Sequence, residues 1–97
     1  MLEEKPFITI NHLDFYGGHT KFRVGDTLEL RKDEDNPYDD EAIAAYLHGS
    51  KCGFVANSVY SVARGTYSAG HIYSCLQDES TCQIWFITED LIIAKML

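Results

Sequence analysis

The chain predicts a mainly β domain with one or two short helices, arranged as a small OB-like, partly open β-barrel of five or six strands. Three observations carry this reading. The 97 residues suffice for one modest core. Short β-branched or alternating segments recur between turn signals. One stretch, after Asn57, has apolar spacing of helical type bounded by a cap and a glycine. With 45% hydrophobic and 24% charged residues, the composition is that of a folded domain and not of a disordered or fibrous chain. A single domain over residues 1–97 is expected, its core at about 7–88 and a tail at 89–97.

Phe7-Ile8-Thr9-Ile10 is β-branched and suits a strand running toward Leu13 and Phe15-Tyr16, ended by Gly17-Gly18. Thr27 to Arg31 alternates with period two, which turns Leu28 and Leu30 inward. Residues 33–41 hold six acids and an Asn-Pro turn initiator, hence a surface loop. The apolar run Ala42–Leu47 is too short for a bilayer span; strand and helix compete there, and the turn His48–Lys51 favours a hairpin with Lys51–Val55. Asn57 is positioned to cap a short helix that buries Val59, Val62 and Ala63 before Gly65 stops it. Ile72–Leu76 and Cys82–Thr88 read as strands joined by the polar turn Gln77–Thr81. Leu91–Leu97 reads as a terminal helix capped by Asp90, or as an apolar surface through which the chain could self-associate.

Charge and cysteine content narrow the function classes. Eight basic against fifteen acidic residues leave a net charge of −7, which repels polyanions at long range, so any nucleic-acid contact has to be local and shaped. Three cysteines, Cys52, Cys75 and Cys82, fit thiols in a reducing compartment. Residues 1–6 carry no signal-peptide core, and a cytoplasmic location is expected. The four histidines lack zinc-site spacing. An EF-hand reading of Asp33-Glu34-Asp35 fails because Pro37, Tyr38 and Ala44 stand where ligands and glycine belong. No nucleophile elbow, phosphate loop or dinucleotide fingerprint is present, so no enzyme, metal or cofactor is expected.

The stretch from Arg31 to Ala44 contains Asn36-Pro37-Tyr38-Asp39 after a strand ending in Leu30-Arg31, then Ala42-Ile43, and the chain continues into Gly53-Phe54-Val55. This order and spacing resemble the HIRAN domain family over about residues 7–88, especially its free-standing bacterial or phage-associated members. The resemblance implies a modified OB barrel that captures the 3′ end of single-stranded DNA in DNA repair or replication. Carried over by motif, Phe15 is the aromatic that stacks on the terminal base, Tyr38 lies beside that base, Asp39 accepts a hydrogen bond from the 3′-hydroxyl, and Asn36 shapes the loop. Asp14 replaces the family's arginine. Phe54 and Asn57 stand at the polar and basic positions that follow the Gly-aromatic strand, and the late loop is shortened to Gln77–Thr81. Lys21, Arg23, Arg31, Lys32 and Lys51 are then candidates for the missing phosphate contacts, with Lys21-Phe22-Arg23 offering a basic and aromatic pair near the site.

Blander roles compete with each of these. Phe15 could be a core aromatic, Asp39 or Asp40 a turn-capping carboxylate, and Lys21 and Arg23 a solvated strand edge. A protein-interaction module without DNA binding is the rival function, motivated by the net acidity and by Leu91-Ile92-Ile93.

Overall fold

The computed structural model describes residues 6–78 and 80–97. Residues 1–5, where no signal-peptide core was expected, and Glu79 of the predicted turn lie outside them. Six strands form a closed antiparallel barrel: β1 (Phe7–Asn11), β2 (Thr27–Lys32), β3 (Ile43–Leu47), β4 (Ser50–Val55), β5 (Thr81–Ile87) and β6 (Ile92–Met96). The circuit runs β1-β4-β3-β2-β5-β6 and back to β1. Inward-facing Ile8, Ile10, Leu28, Leu30, Ile43, Cys52, Ile84 and Ile92 are fully buried, and Leu13, Phe22, Ile72 and Leu76 from outside the strands complete the core. No helix among the described residues is long and apolar enough to cross a membrane.

Strands β2, β3, β4 and β5 lie where the sequence predicts them. The competing tendencies over Ala42–Leu47 resolve to a strand whose residues 43–45 are all buried, so period-two alternation is absent because both faces are covered.

Residues 91–97 are neither a helix nor a free tail. Ile92–Met96 forms β6, which closes a small OB-like barrel of the kind expected. Thr88 Oγ1 accepts the amides of Asp90 and Leu91, at 3.3 and 3.1 Å, and makes a turn into β6 where Asp90 was expected to cap a helix. The chain then pairs with β1, Ile10 opposite Ile92 and Phe7 opposite Lys95, and with β5. Ile92, Ala94 and Met96 point inward and are buried in the core, whereas Leu91 and Ile93 are half-buried and Leu97 is exposed. The core accordingly extends past residue 88.

Three further expectations are corrected. The first strand stops at Asn11, because His12 adopts a left-handed backbone (φ 61°) and Leu13–Tyr16 winds into a 3-10 turn. The predicted helix after Asn57 is a string of turns instead. Val59 and Tyr60 are exposed, which leaves no apolar face to bury, and Ser58, not Asn57, accepts the Tyr60 amide. The predicted strand at 72–76 is helical: α1 (Ala69–Ile72) followed by a 3-10 turn over Tyr73–Cys75. Ala69, Ile72 and Leu76 are its buried residues, at helical spacing, and Ser68 Oγ caps it by accepting the His71 amide at 3.2 Å.

These departures shape one end of the barrel. Strand β1 pairs with β4 only at Ile10–Val55 and Asn11–Phe54. Beyond that seam, the carbonyls of Thr9 and Phe7 accept from Ala56 and Tyr67, both at 2.8 Å, so the segment after β4 takes the place of a neighbouring strand. Thr9 is fully buried beneath it, and its hydroxyl accepts the Ala63 amide and pairs with Thr66. At the seam itself, Gly53 is required by close approach: a methyl there would sit 2.7 Å from the Asn11 carbonyl oxygen and 2.9 Å from Ile10.

The cysteines are free thiols with different surroundings. Burial pushes Cys52 up to about 11 and Cys82 to about 12, so neither forms thiolate at neutral pH, whereas Cys75 is half-buried. A thiol-reactive chromophore at pH 8 is therefore expected to label Cys75 alone in the native protein and all three cysteines in denaturant. Rapid native labelling of a second thiol would contradict the packing described.

Candidate functional site

The end of β1, the 3-10 turn after it, the end of β4 and the acidic loop enclose an open cleft of about 590 Å³. That volume lies within the usual range for small-ligand sites. Of the residues singled out from sequence, Phe15, Asn36, Tyr38, Asp39, Phe54 and Asn57 line it.

The acidic loop is organised by one side chain. Asn36 Oδ1 accepts the backbone amides of Tyr38 (2.9 Å) and Asp39 (3.1 Å), while its amide nitrogen donates to Asp33. This Asx turn is what an Asn-Pro sequence favours. It sends the Tyr38 ring out into solvent, 95% exposed.

Asp39 is turned the other way and is half-buried. One carboxylate oxygen accepts the Glu41 amide at 2.9 Å, and the other accepts from Asn57 Nδ2 at 3.0 Å. The turn-capping role and the cleft position therefore belong to the same residue. Asn57 in turn accepts the Gly70 amide through Oδ1 at 2.7 Å, joining the loop, the end of β4 and α1 in one polar chain. Gly70 permits that approach, since a methyl there would fall 2.7 Å from the Glu41 carboxylate and 3.0 Å from Asn57 Oδ1. A carboxylate has about four lone-pair sites, so two accepted bonds leave Asp39 able to take another donor.

The facing wall is aromatic. Phe15 is 81% exposed and is not a core residue. The left-handed turn at His12 swings it outward and places His12, Tyr16 and Phe54 around it: His12 lies 6.1 Å from Phe15 and 6.2 Å from Phe54, and Tyr16 lies 6.3 Å from Phe54. His12 and Tyr16 are cleft residues that sequence reading missed. Their residue types do not announce the left-handed backbone at His12 and the 3-10 turn that bring them to the cleft.

The cations divide. Lys21 donates to the Tyr16 carbonyl oxygen beside the cleft without lining it. Arg23 sits apart: its backbone amide binds the Asp26 side chain, and it does not line the cleft. Lys51 approaches instead, its ammonium 5.2 Å from the Phe54 ring centroid. Asp39, Asp40 and Glu41 place carboxylate oxygens within 4.8 Å of one another, giving the opposite wall a strongly negative edge.

Losing Asn57 should therefore loosen both the loop and α1. Asn57→Ala is expected to lower stability in urea denaturation by about 1–3 kcal/mol, the usual cost of leaving partly buried partners unpaired. Asn57→Asp should cost more, because it sets a second carboxylate against Asp39. Equal stability of all three proteins would show that the polar chain does not hold the site together.

By sequence, neither a family model nor a curated protein matches the chain. Two solved structures share its fold. The HIRAN domain of human HLTF aligns with a TM-score of 0.71 and 18% identity over 93% of this chain and 70% of that one. A protein from Lactobacillus plantarum aligns with a TM-score of 0.65 and 17% identity over 94% of this chain and 88% of that one. The barrel described above thus has the HIRAN-domain fold.

Proposed function

We propose that the cleft is a non-catalytic seat for the 3′-hydroxyl end of a single DNA strand. The observation that carries this reading is the placement of two solvent-exposed rings, Phe15 and Tyr38, in one cleft with the anchored carboxylate of Asp39. The HIRAN fold, together with the Asn36-Pro37-Tyr38-Asp39 motif, adds support.

The chemistry separates into affinity and selectivity. A ring face stacks on any base, contributing about 1–3 kcal/mol per base, so Phe15 and Tyr38 hold an end without reading its sequence. Asp39 accepts a hydrogen bond from a free hydroxyl. A terminal phosphate would instead meet Asp39, with the carboxylates of Asp40 and Glu41 within 4.8 Å of it, and like charges about 4 Å apart near a protein surface repel by about 4 kcal/mol before screening. Neutralisation of the strand's own phosphates rests on few groups, Lys21 and Lys51 being the nearest cations described. With two phosphates contacted, the logarithmic salt slope is about −1.4.

Fluorescence anisotropy with short oligonucleotides that differ only at the end, 3′-hydroxyl or 3′-phosphate, tests the reading. The hydroxyl end is expected to bind at least about tenfold more tightly, equivalent to ~1.4 kcal/mol. Tyr38→Ala and Phe15→Ala should each weaken it by about 1–3 kcal/mol, and Asp39→Asn should erase the preference between ends. Equal binding of both ends by the unaltered protein would refute end recognition.

A further inference from the structure

The cleft does not finish at Asn57. On the other side of that residue lies a second depression of about 500 Å³, formed by the turns after β4 and the start of α1. Tyr67 and His71 stand there as a ring pair, centroids 4.5 Å apart and planes inclined by 44°, with exposed Arg64 on the same wall.

Both rings are carried by fixed backbone. The Tyr67 amide donates to the Phe7 carbonyl at 2.8 Å and bridges β1 at Ile8, while the His71 amide is held by the Ser68 cap. Tyr67 is nevertheless 41% exposed, so it presents ring surface to solvent. The charge differs from that of the first cleft. Among the described residues lining this depression there is no carboxylate, although the chain's net charge is −7, and Arg64 is its cation. A π face beside a guanidinium, in a depression free of acids, suits one base and its phosphate.

We propose that this depression is a further nucleotide subsite, which receives the strand 5′ of the terminal dinucleotide held at the first cleft, with Tyr67 and His71 stacking on a base and Arg64 pairing with a phosphate. The inference rests on the end-binding reading of the first cleft and extends it along the strand. Work is divided between the two: the end is sensed where carboxylates crowd together, and backbone charge is met where they are missing.

The test compares two- and six-nucleotide thymidine oligomers, both with 3′-hydroxyl ends, by competition against a labelled strand. The six-mer should bind more tightly, and Tyr67→Ala should reduce its advantage at least about fivefold while leaving the two-mer unchanged. Tyr67→Phe, which keeps the ring, should restore the advantage and so distinguish stacking from a folding defect. Arg64→Gln, at an exposed position, should make the six-mer's salt slope shallower by about 0.7. If Tyr38→Ala weakens both oligomers but Tyr67→Ala and Arg64→Gln leave the length advantage intact, the second subsite is refuted and the first cleft stands. If neither oligomer binds, both readings fall.

Discussion

The hydrogen bond from Asn57 to Asp39 is the constraint on which the site's geometry depends. Without a partner at Asn57, Asp39 would be one more acid in a solvated loop. With it, the carboxylate is fixed at 3.0 Å to an amide that also holds the start of α1. A loop, a strand end and a helical turn, distant in sequence, thereby share one position. Asn36 completes the arrangement from within the loop by directing Tyr38 outward while Asp39 turns in. The two side chains that make the cleft chemically distinctive are thus oriented by amides and not by ion pairs, whose strength at an exposed surface would fall with salt.

Acidity is usually a reason to discount nucleic-acid binding, and here its distribution matters more than its sum. The carboxylates at 39–41 gather on one wall, whereas the aromatic wall draws on Phe15, Tyr16, Phe54 and His12, with Lys51 over Phe54. A protein with this pattern lacks the long-range attraction that lets basic proteins coat DNA. Under the proposed function, its contacts with a strand have to come from short-range stacking and hydrogen bonding, which favours discrimination between kinds of end over general affinity.

Much of this was legible in the sequence wherever the controlling interaction is local. Alternation at Thr27–Arg31 reports β2 directly, and Asn36-Pro37 contains its own turn chemistry, so the loop that bears Tyr38 and Asp39 could be read before the fold was known. The failures have a common cause in long-range partners. Asn57 looks like a helix cap until Asp39 and Gly70 claim its side chain. Ile72-Tyr73 has strand-forming residues, yet the burial of Ala69, Ile72 and Leu76 against the barrel selects a helical turn. Ile92-Ile93 conceals the alternation of β6, whose partner β1 lies at the far end of the sequence. His12 gives no hint in its residue type that its backbone will turn left-handed, and that turn decides which way Phe15 points.

The β1–β6 seam also bears on how the molecule is made. Ile10 and Ile92, paired across it, are 82 positions apart, so loop-closure entropy opposes this contact until late in folding. During synthesis, the flanks of β1 and β5 stay without their shared neighbour until residues 92–96 leave the ribosome. Nascent chains of this kind expose unsatisfied strand margins and are prone to mispairing with one another. The last strand thus acts as a clasp, and its absence leaves an adhesive intermediate.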